Sequence, residues 1–282
     1  MPEITPAEVK ALRDRTGLPM MDCKRALVEC AGDMEQAIEY LRKQGAKLQG
    51  ARRDRETAAG RLAAYADLER GVGALVELKC ESAPVANSPE VVQFAKELAQ
   101  QLALGPGAAS AEELLAQPSP SKPGMTLAAV LDDMFNRMRE VFKITRVLRL
   151  DAPCGGYAHP DGTLAVLVEV RGGSAATAKD IAMHIAARAP AVVRQEDLDP
   201  AEVERERAIL TEAIRREGKP ENIAAKIVEG RLRTFFAERV LYEQPFVKDE
   251  SMTVGTLPDY SVVAARDLVG KRRFGEALAQ FD

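Results

Sequence analysis

Apolar residues at helical spacing organise the first 46 positions. Val9 and Leu12 form a stripe behind Thr5-Pro6-Ala7-Glu8, a capping box with Pro at the first helical position, and Gly17 ends this helix. A second helix opens at Pro19–Asp22 and carries Cys23, Ala26, Leu27 and Cys30 on one side. Gly32 follows where a left-handed C-terminal residue is wanted. Asp33 and Gln36 cap a third helix, whose inward face is Ala37, Ile38 and Leu41 and whose end is set at Gly45. The pattern predicts a three-helix domain over 1–46. Residues 47–60, KLQGARRDRETAAG, have no apolar period and read as a solvated linker, helical in part.

The period changes from residue 61 onward. Leu62, Ala64, Ala66 and Leu68 alternate, Glu69-Arg70-Gly71 turns, and Val72, Ala74, Val76, Leu78 and Cys80 alternate again, which predicts a hairpin. Ser88-Pro89 opens a helix with Val91, Phe94, Ala95, Leu98 and Leu102 on one face. A Pro/Ser/Gly loop over 117–124 leads to a helix from Thr126 to about Phe142. Ile144–Leu150 and Thr163–Arg171 read as strands, with Cys154-Gly155-Gly156 and Pro160-Asp161-Gly162 as turns. The next helix has Ile181, Ala182, Ile185 and Ala186 inward. Strand, turn, strand, helix thus occurs twice. Two antiparallel sheets, each with helices on one face, make an α+β core divided into 61–143 and 144–282. Over 199–238, two helices flank Gly218-Lys219-Pro220, and so short a break folds them into an antiparallel hairpin. The first has few apolar anchors (Val203, Leu210, Ile214), so the hairpin is expected to project into solvent, as a structural element or as a handle for a partner.

Composition narrows the function. Of the 282 residues, 39 are basic and 43 acidic, and the net charge of −4 argues against a dedicated nucleic-acid binder. An RNA reading would have to rest on the arginines of 52–61. A 46% hydrophobic, 29% charged chain excludes wholesale disorder. No run approaches the ~18 apolar residues of a membrane span. The start, MPEITPAEVKALRDR, shows no targeting signal, so a cytoplasmic location is expected. Cys23, Cys30, Cys80 and Cys154 form no CxxC and read as reduced thiols. His159 lies in a turn, and His184 on an apolar helix face reads as a satisfied core residue. No nucleophile-elbow, phosphate-loop, zinc-helix or dinucleotide motif is present. Ser88 and Ser174 read as helix caps. No catalytic residue, metal or cofactor is expected, and protein binding is left by elimination.

The run Leu12-Arg13-Asp14-Arg15-Thr16-Gly17-Leu18-Pro19-Met20-Met21-Asp22-Cys23-Lys24-Arg25-Ala26-Leu27, with Leu41-Arg42-Lys43-Gln44-Gly45, resembles the N-terminal domain of the elongation factor Ts family. Further similar blocks are Asp180–Ala187, Gly218-Lys219-Pro220 with Lys226–Arg231, and Gln244-Pro245-Phe246-Val247 before Thr253-Val254-Gly255. The resemblance implies a UBA-like three-helix domain and a guanine-nucleotide exchange factor for the GTPase elongation factor Tu. It implies contacts to that GTPase from Arg13, Met20 and Met21. Adjacent helical residues point ~100° apart, so one of the two methionines is expected at the surface. Where the family has Thr-Asp-Phe-Val, thought to enter the GTPase near its magnesium, this chain has Ser82-Ala83-Pro84-Val85. It has Met138-Arg139 where the family typically has Ile-Gly, and His159 matches a position near the same contact. The missing carboxylate and ring leave a second reading open, a diverged relative that binds the GTPase as chaperone or scaffold and exchanges nucleotide weakly. A homodimer through the hairpin or the sheet ends also stays open.

Overall fold

A computed structural model describes residues 4–52, 54–217, 220–258 and 260–269. In chain order the elements are α1 (Pro6–Thr16), α2 (Met20–Glu29), α3 (Met34–Arg52), β1 (Ala59–Asp67), β2 (Val72–Cys80), α4 (Ala83–Ala86), α5 (Pro89–Leu104), α6 (Ala111–Leu115) and α7 (Leu127–Met138). Then come β3 (Lys143–Leu150), β4 (Cys154–Ala158), β5 (Leu164–Gly172), α8 (Ala175–Arg188), α9 (Pro200–Arg216), α10 (Glu221–Arg239), β6 (Pro245–Phe246), β7 (Asp249–Thr253) and β8 (Tyr260–Val269). The sheets run β1-β2-β3, β4-β5-β8 and β6-β7. The class is α+β, as expected. The chain divides into two compact units, one of residues up to Arg61 with Val76–Val147, the other of Leu62–Leu75 with the residues from Leu148 on.

In the first unit, α1, α2 and α3 enclose a core of Val9, Leu12, Leu18, Cys23, Ala26, Leu27, Ala37 and Leu41. The local signals act as their chemistry requires. Thr5 Oγ1 accepts from Glu8 N while the Glu8 carboxylate accepts from Thr5 N at 2.8 Å. Gly17 and Gly32 hold φ of 69° and 86°, the left-handed turns that close α1 and α2.

Helix α3 departs from the expectation. It does not end at Gly45 but continues to Arg52. Gly45 is buried against α7, and a Cβ there would lie 1.8 Å from Asn136 Oδ1. Gln49 Nε2 donates to Asp132 Oδ1 at 2.9 Å. Much of the expected linker is therefore the end of a helix seated on α7, and it lacks an apolar period because that seam is made of glycine and amides. Helix α7 in turn stops at Met138, short of Phe142, because Arg139 turns left-handed (φ 60°) and its N–H closes on Phe135 O at 2.7 Å.

Strand β2 buries Glu77, which is 4% exposed. Its carboxylate accepts from Thr145 Oγ1 (2.5 Å) and from Arg146 Nε (2.8 Å) and Nη2 (3.1 Å). Burial pushes this carboxyl upward, but the bonds from Arg146 and Thr145 outweigh it and hold the group below its ordinary 4.5. With a lowered folded value, the stabilisation is present above pH 4.5 and is lost as pH falls through the folded value. Glu77→Gln should flatten that acid limb in thermal melts below pH 4.5. A limb unchanged in the variant assigns the acid loss to other groups.

In the second unit, α8 covers a sheet face with Ala178, Ile181, Ala182 and Ile185 packed on Val166, Val168 and Val170. Cys154-Gly155-Gly156, expected as a turn, is strand β4, with Gly155 opposite Val168 and Gly156 opposite Leu167. A Cβ on Gly155 would lie 2.3 Å from Ala178 O, so the glycine serves close approach of helix to strand rather than a turn. The expected strand Ile144–Leu150 exists as β3 but joins β2 instead of β5. Helices α9 and α10 share Ile214, Val228 and Leu232. Their ion pairs Glu202–Arg239 (2.7 Å) and Glu217–Arg231 (3.3 Å) run in antiparallel order. Gly218 and Lys219 of the expected break lie outside the described residues, as do residues 270–282. His184 is fully buried, with Nδ1 accepting from Val247 N (3.2 Å) and Nε2 donating to Gln244 Oε1 (2.9 Å), a satisfied core residue.

Candidate functional site

The candidate contact residues of the first unit sit at the start of α2, on α4 and at the end of α7. Met20 and Met21 open α2 behind Pro19, which supplies no side-chain cap. The helix buries Cys23, Ala26 and Leu27 instead. Both methionines are exposed, Met20 at 47% and Met21 at 64%, one more than expected. Exposed Val28 lies two turns along from Met21, with exposed Lys24 between them on the same face. Flexible thioethers beside a cation make an adaptable apolar contact surface. Arg13 is exposed on α1.

Ser82 is the N-cap position of α4, and Pro84 sits in that helix's first turn. Ala83 and Pro84 are exposed, Val85 is half-buried and Ala86 is buried. The corner is held from behind. Ser82 donates from N (3.0 Å) and Oγ (2.5 Å) to the Glu140 carboxylate. Glu81 accepts from Val141 N (2.9 Å) and Arg55 Nη1 (3.0 Å), and the Val141 N–H foremost holds this carboxyl below its ordinary range. Burial, with Glu140 adding to it, pushes the Cys80 thiol up to about 11. It stays protonated at neutral pH and donates to Ser82 O, so it is no nucleophile.

Met138 and Arg139 are partly buried. The Arg139 guanidinium pairs with Asp22, the residue after Met21, and its carbonyl accepts from Arg52 Nη1 at 2.6 Å. Through Asp22, Arg139 and Glu140, the Met20/Met21, 138–139 and 82–85 groups are joined within one unit. His159 belongs to the other unit, at the β4–β5 turn, exposed and with Nδ1 2.7 Å from Asp161 Oδ1.

The part that Asp22, Arg52, Arg55, Glu81 and Glu140 play in holding these groups together was not read from the sequence. The partners that tie them to one another's segments lie 26 to 117 residues away, so no local spacing carries the signal. Arg52, Arg55 and Arg61 all donate inside the first unit, Arg61 to Asn87 Oδ1 at 3.0 Å. The described arginines of that stretch are therefore engaged within the unit, although the sequence reads them as part of a solvated linker. Among the described residues no group of His, Cys, Asp and Glu is arranged to hold a metal, and no helix is long and apolar enough to cross a membrane. The arrangement places the exposed Met20, Met21, Ala83 and Pro84 on a hydrogen-bonded base.

A family model described as "Elongation factor TS" matches residues 81–269. The chain is 40% identical over 263 residues to a protein named elongation factor Ts from Kineococcus radiotolerans, covering 91% of this chain and 94% of the relative. It is 40% identical over 258 residues to the one from Methylococcus capsulatus (90% and 86%). To that of Prosthecochloris aestuarii it is 38% identical over 270 residues (93% of each).

Proposed function

This chain belongs to the elongation factor Ts family and is a translation elongation factor, and from that premise we propose that it binds elongation factor Tu with GDP and promotes GDP release. The family works through protein binding, not as a catalytic enzyme. The cytoplasm is where such a factor meets its partner.

The observation that carries the reading is the pair Met20 and Met21, both turned to solvent on a helix tied to the 82–85 corner. The required physics is differential affinity. The factor must bind the nucleotide-free GTPase more tightly than the GDP form, and the same coupling lets GTP and aminoacyl-tRNA release the factor. Docking of Met20, Met21 and Arg13, with entry of the Ser82–Val85 corner near the magnesium of the partner, would supply that difference. Met138 and His159 are further candidate contacts, and Arg139, the remaining candidate position, is engaged by Asp22. The test is stopped-flow release of a fluorescent GDP from elongation factor Tu. Strong acceleration that saturates with the chain supports exchange. Acceleration of less than a few-fold at saturation overturns it in favour of binding alone.

That second reading, a chaperone or scaffold with weak exchange, is favoured by one observation. The exposed tip of α4 is Ala83-Pro84, with neither a carboxylate nor a ring. A buried Phe contributes about 1.5–3 kcal/mol, so Ala83→Asp with Pro84→Phe should speed GDP release about 10-fold or more. Both positions are exposed, so the fold should tolerate the change. An unaltered rate in that double variant would show that the tip does not enter the partner.

A further inference from the structure

We propose that the Asp22–Arg139 ion pair is a clasp that sets the methionine-bearing helix against the 81–86 corner, which makes Arg139 a positioning residue for exchange rather than a contact with the partner. The inference deepens the exchange reading and rests on it.

Arg139 occupies the left-handed region at φ 60°, where a side chain is strained and glycine is not. A residue held there against its preference points to a use for its side chain. The use is visible in the geometry. The guanidinium reaches back 117 residues in sequence to Asp22, in the first turn of α2 and next to Met21. Both side chains are largely shielded, Arg139 at 27% and Asp22 at 19% exposed, so salt screens the pair less than an open surface pair. Arg25 pairs with the same carboxylate from within α2 and leaves Arg139 as the link from outside that helix.

The backbone around Arg139 extends the link. Its carbonyl accepts from Arg52 Nη1 at the end of α3. The next residue, Glu140, accepts from Ser82 N and Oγ, and Val141 N donates to Glu81. Three consecutive residues thus grip α2, α3 and the corner that starts α4. Met20/Met21 and Ala83-Pro84 stand about sixty positions apart in the chain, yet both are referenced to this one segment. If Asp22 lets go, α2 keeps its packing on α1 and α3 but loses its direct tie to this segment, and the methionines are set less firmly against the corner.

Three full-chain variants and one double test this: Arg139→Gly, Asp22→Asn, Arg139→Lys and Arg139→Gly/Asp22→Asn. The readouts are GDP release from elongation factor Tu, thermal melting, and hydrogen exchange of residues 20–29 in the free chain. Each single loss should slow release about 3- to 10-fold. The double should be no slower than the worse single, because one interaction is removed once. Arg139→Gly should melt no lower than the wild type, since the strain goes with the side chain, yet exchange faster along α2. Arg139→Lys, which keeps the charge, should recover part of the rate. Losses that multiply in the double would show two independent partner contacts and overturn the clasp, as would unchanged hydrogen exchange along α2. A wild-type chain that leaves GDP release unaltered overturns the exchange reading and the positioning role together, and that result is distinct from multiplicative losses in an active factor.

Discussion

A chain carrying Met20→Asp and Met21→Asp should lose at least about 100-fold of its ability to accelerate GDP release at subsaturating concentration, because two Met side chains that docking buries contribute about 3–6 kcal/mol together. Two carboxylates in an apolar contact add a desolvation penalty of their own. The fold should not suffer. Both side chains are exposed, and α2 begins without a side-chain cap. Acidic residues in a first turn are favourable for the helix. The melting temperature should therefore hold or rise slightly while exchange collapses, and the opposite signs separate docking from stability. Met20→Asp alone should give a smaller slowing in the same direction. Exchange rates that match the wild type across a titration of the double variant would remove α2 from the docking surface.

The second large effect concerns the seam beneath that surface. Gly45→Ala should destabilise the chain by about 1–3 kcal/mol, although Ala is the better helix former by about 1 kcal/mol. The new Cβ meets the whole Asn136 amide, 1.8 Å from Oδ1 and 2.6 Å from Cγ. Asn136 Oδ1 is buried there without a hydrogen-bond partner. Adding Asn136→Ala to Gly45→Ala removes both the clash and that unsatisfied acceptor, so the double should recover most of the loss. Urea or thermal unfolding of the single and double variants measures this coupling. A Gly45→Ala chain more stable than the wild type would mean that the two helices are not in close contact at this point.

Local chemistry made the N-terminal helices legible. The Thr5–Glu8 box, Gly17 and Gly32 act over three or four residues, and nothing distant competes with them. The β1–β2 hairpin was legible for the same reason, since its alternation and its turn are contiguous. The helix pair 200–216 and 221–239 followed from a break too short for any path but a reversal. The family was readable from runs of residues that stand unbroken in the chain, and the proposed docking role of Met20 and Met21 starts from it.

What escaped such reading were residues whose meaning depends on what lies across a seam. Gly45 and Gly155 carry the signature of a stop or a turn, yet each marks a place where another backbone or side chain comes too close for a Cβ. The linker arginines look solvated until Arg139 O and Glu81 are found in front of Arg52 and Arg55. Asp22 and Arg139 form a pair only after 117 residues have been folded between them. Periodicity and caps are short-range properties and travel with the chain itself. Close approach and charge pairing are properties of two segments at once, and they come into being when packing brings those segments together.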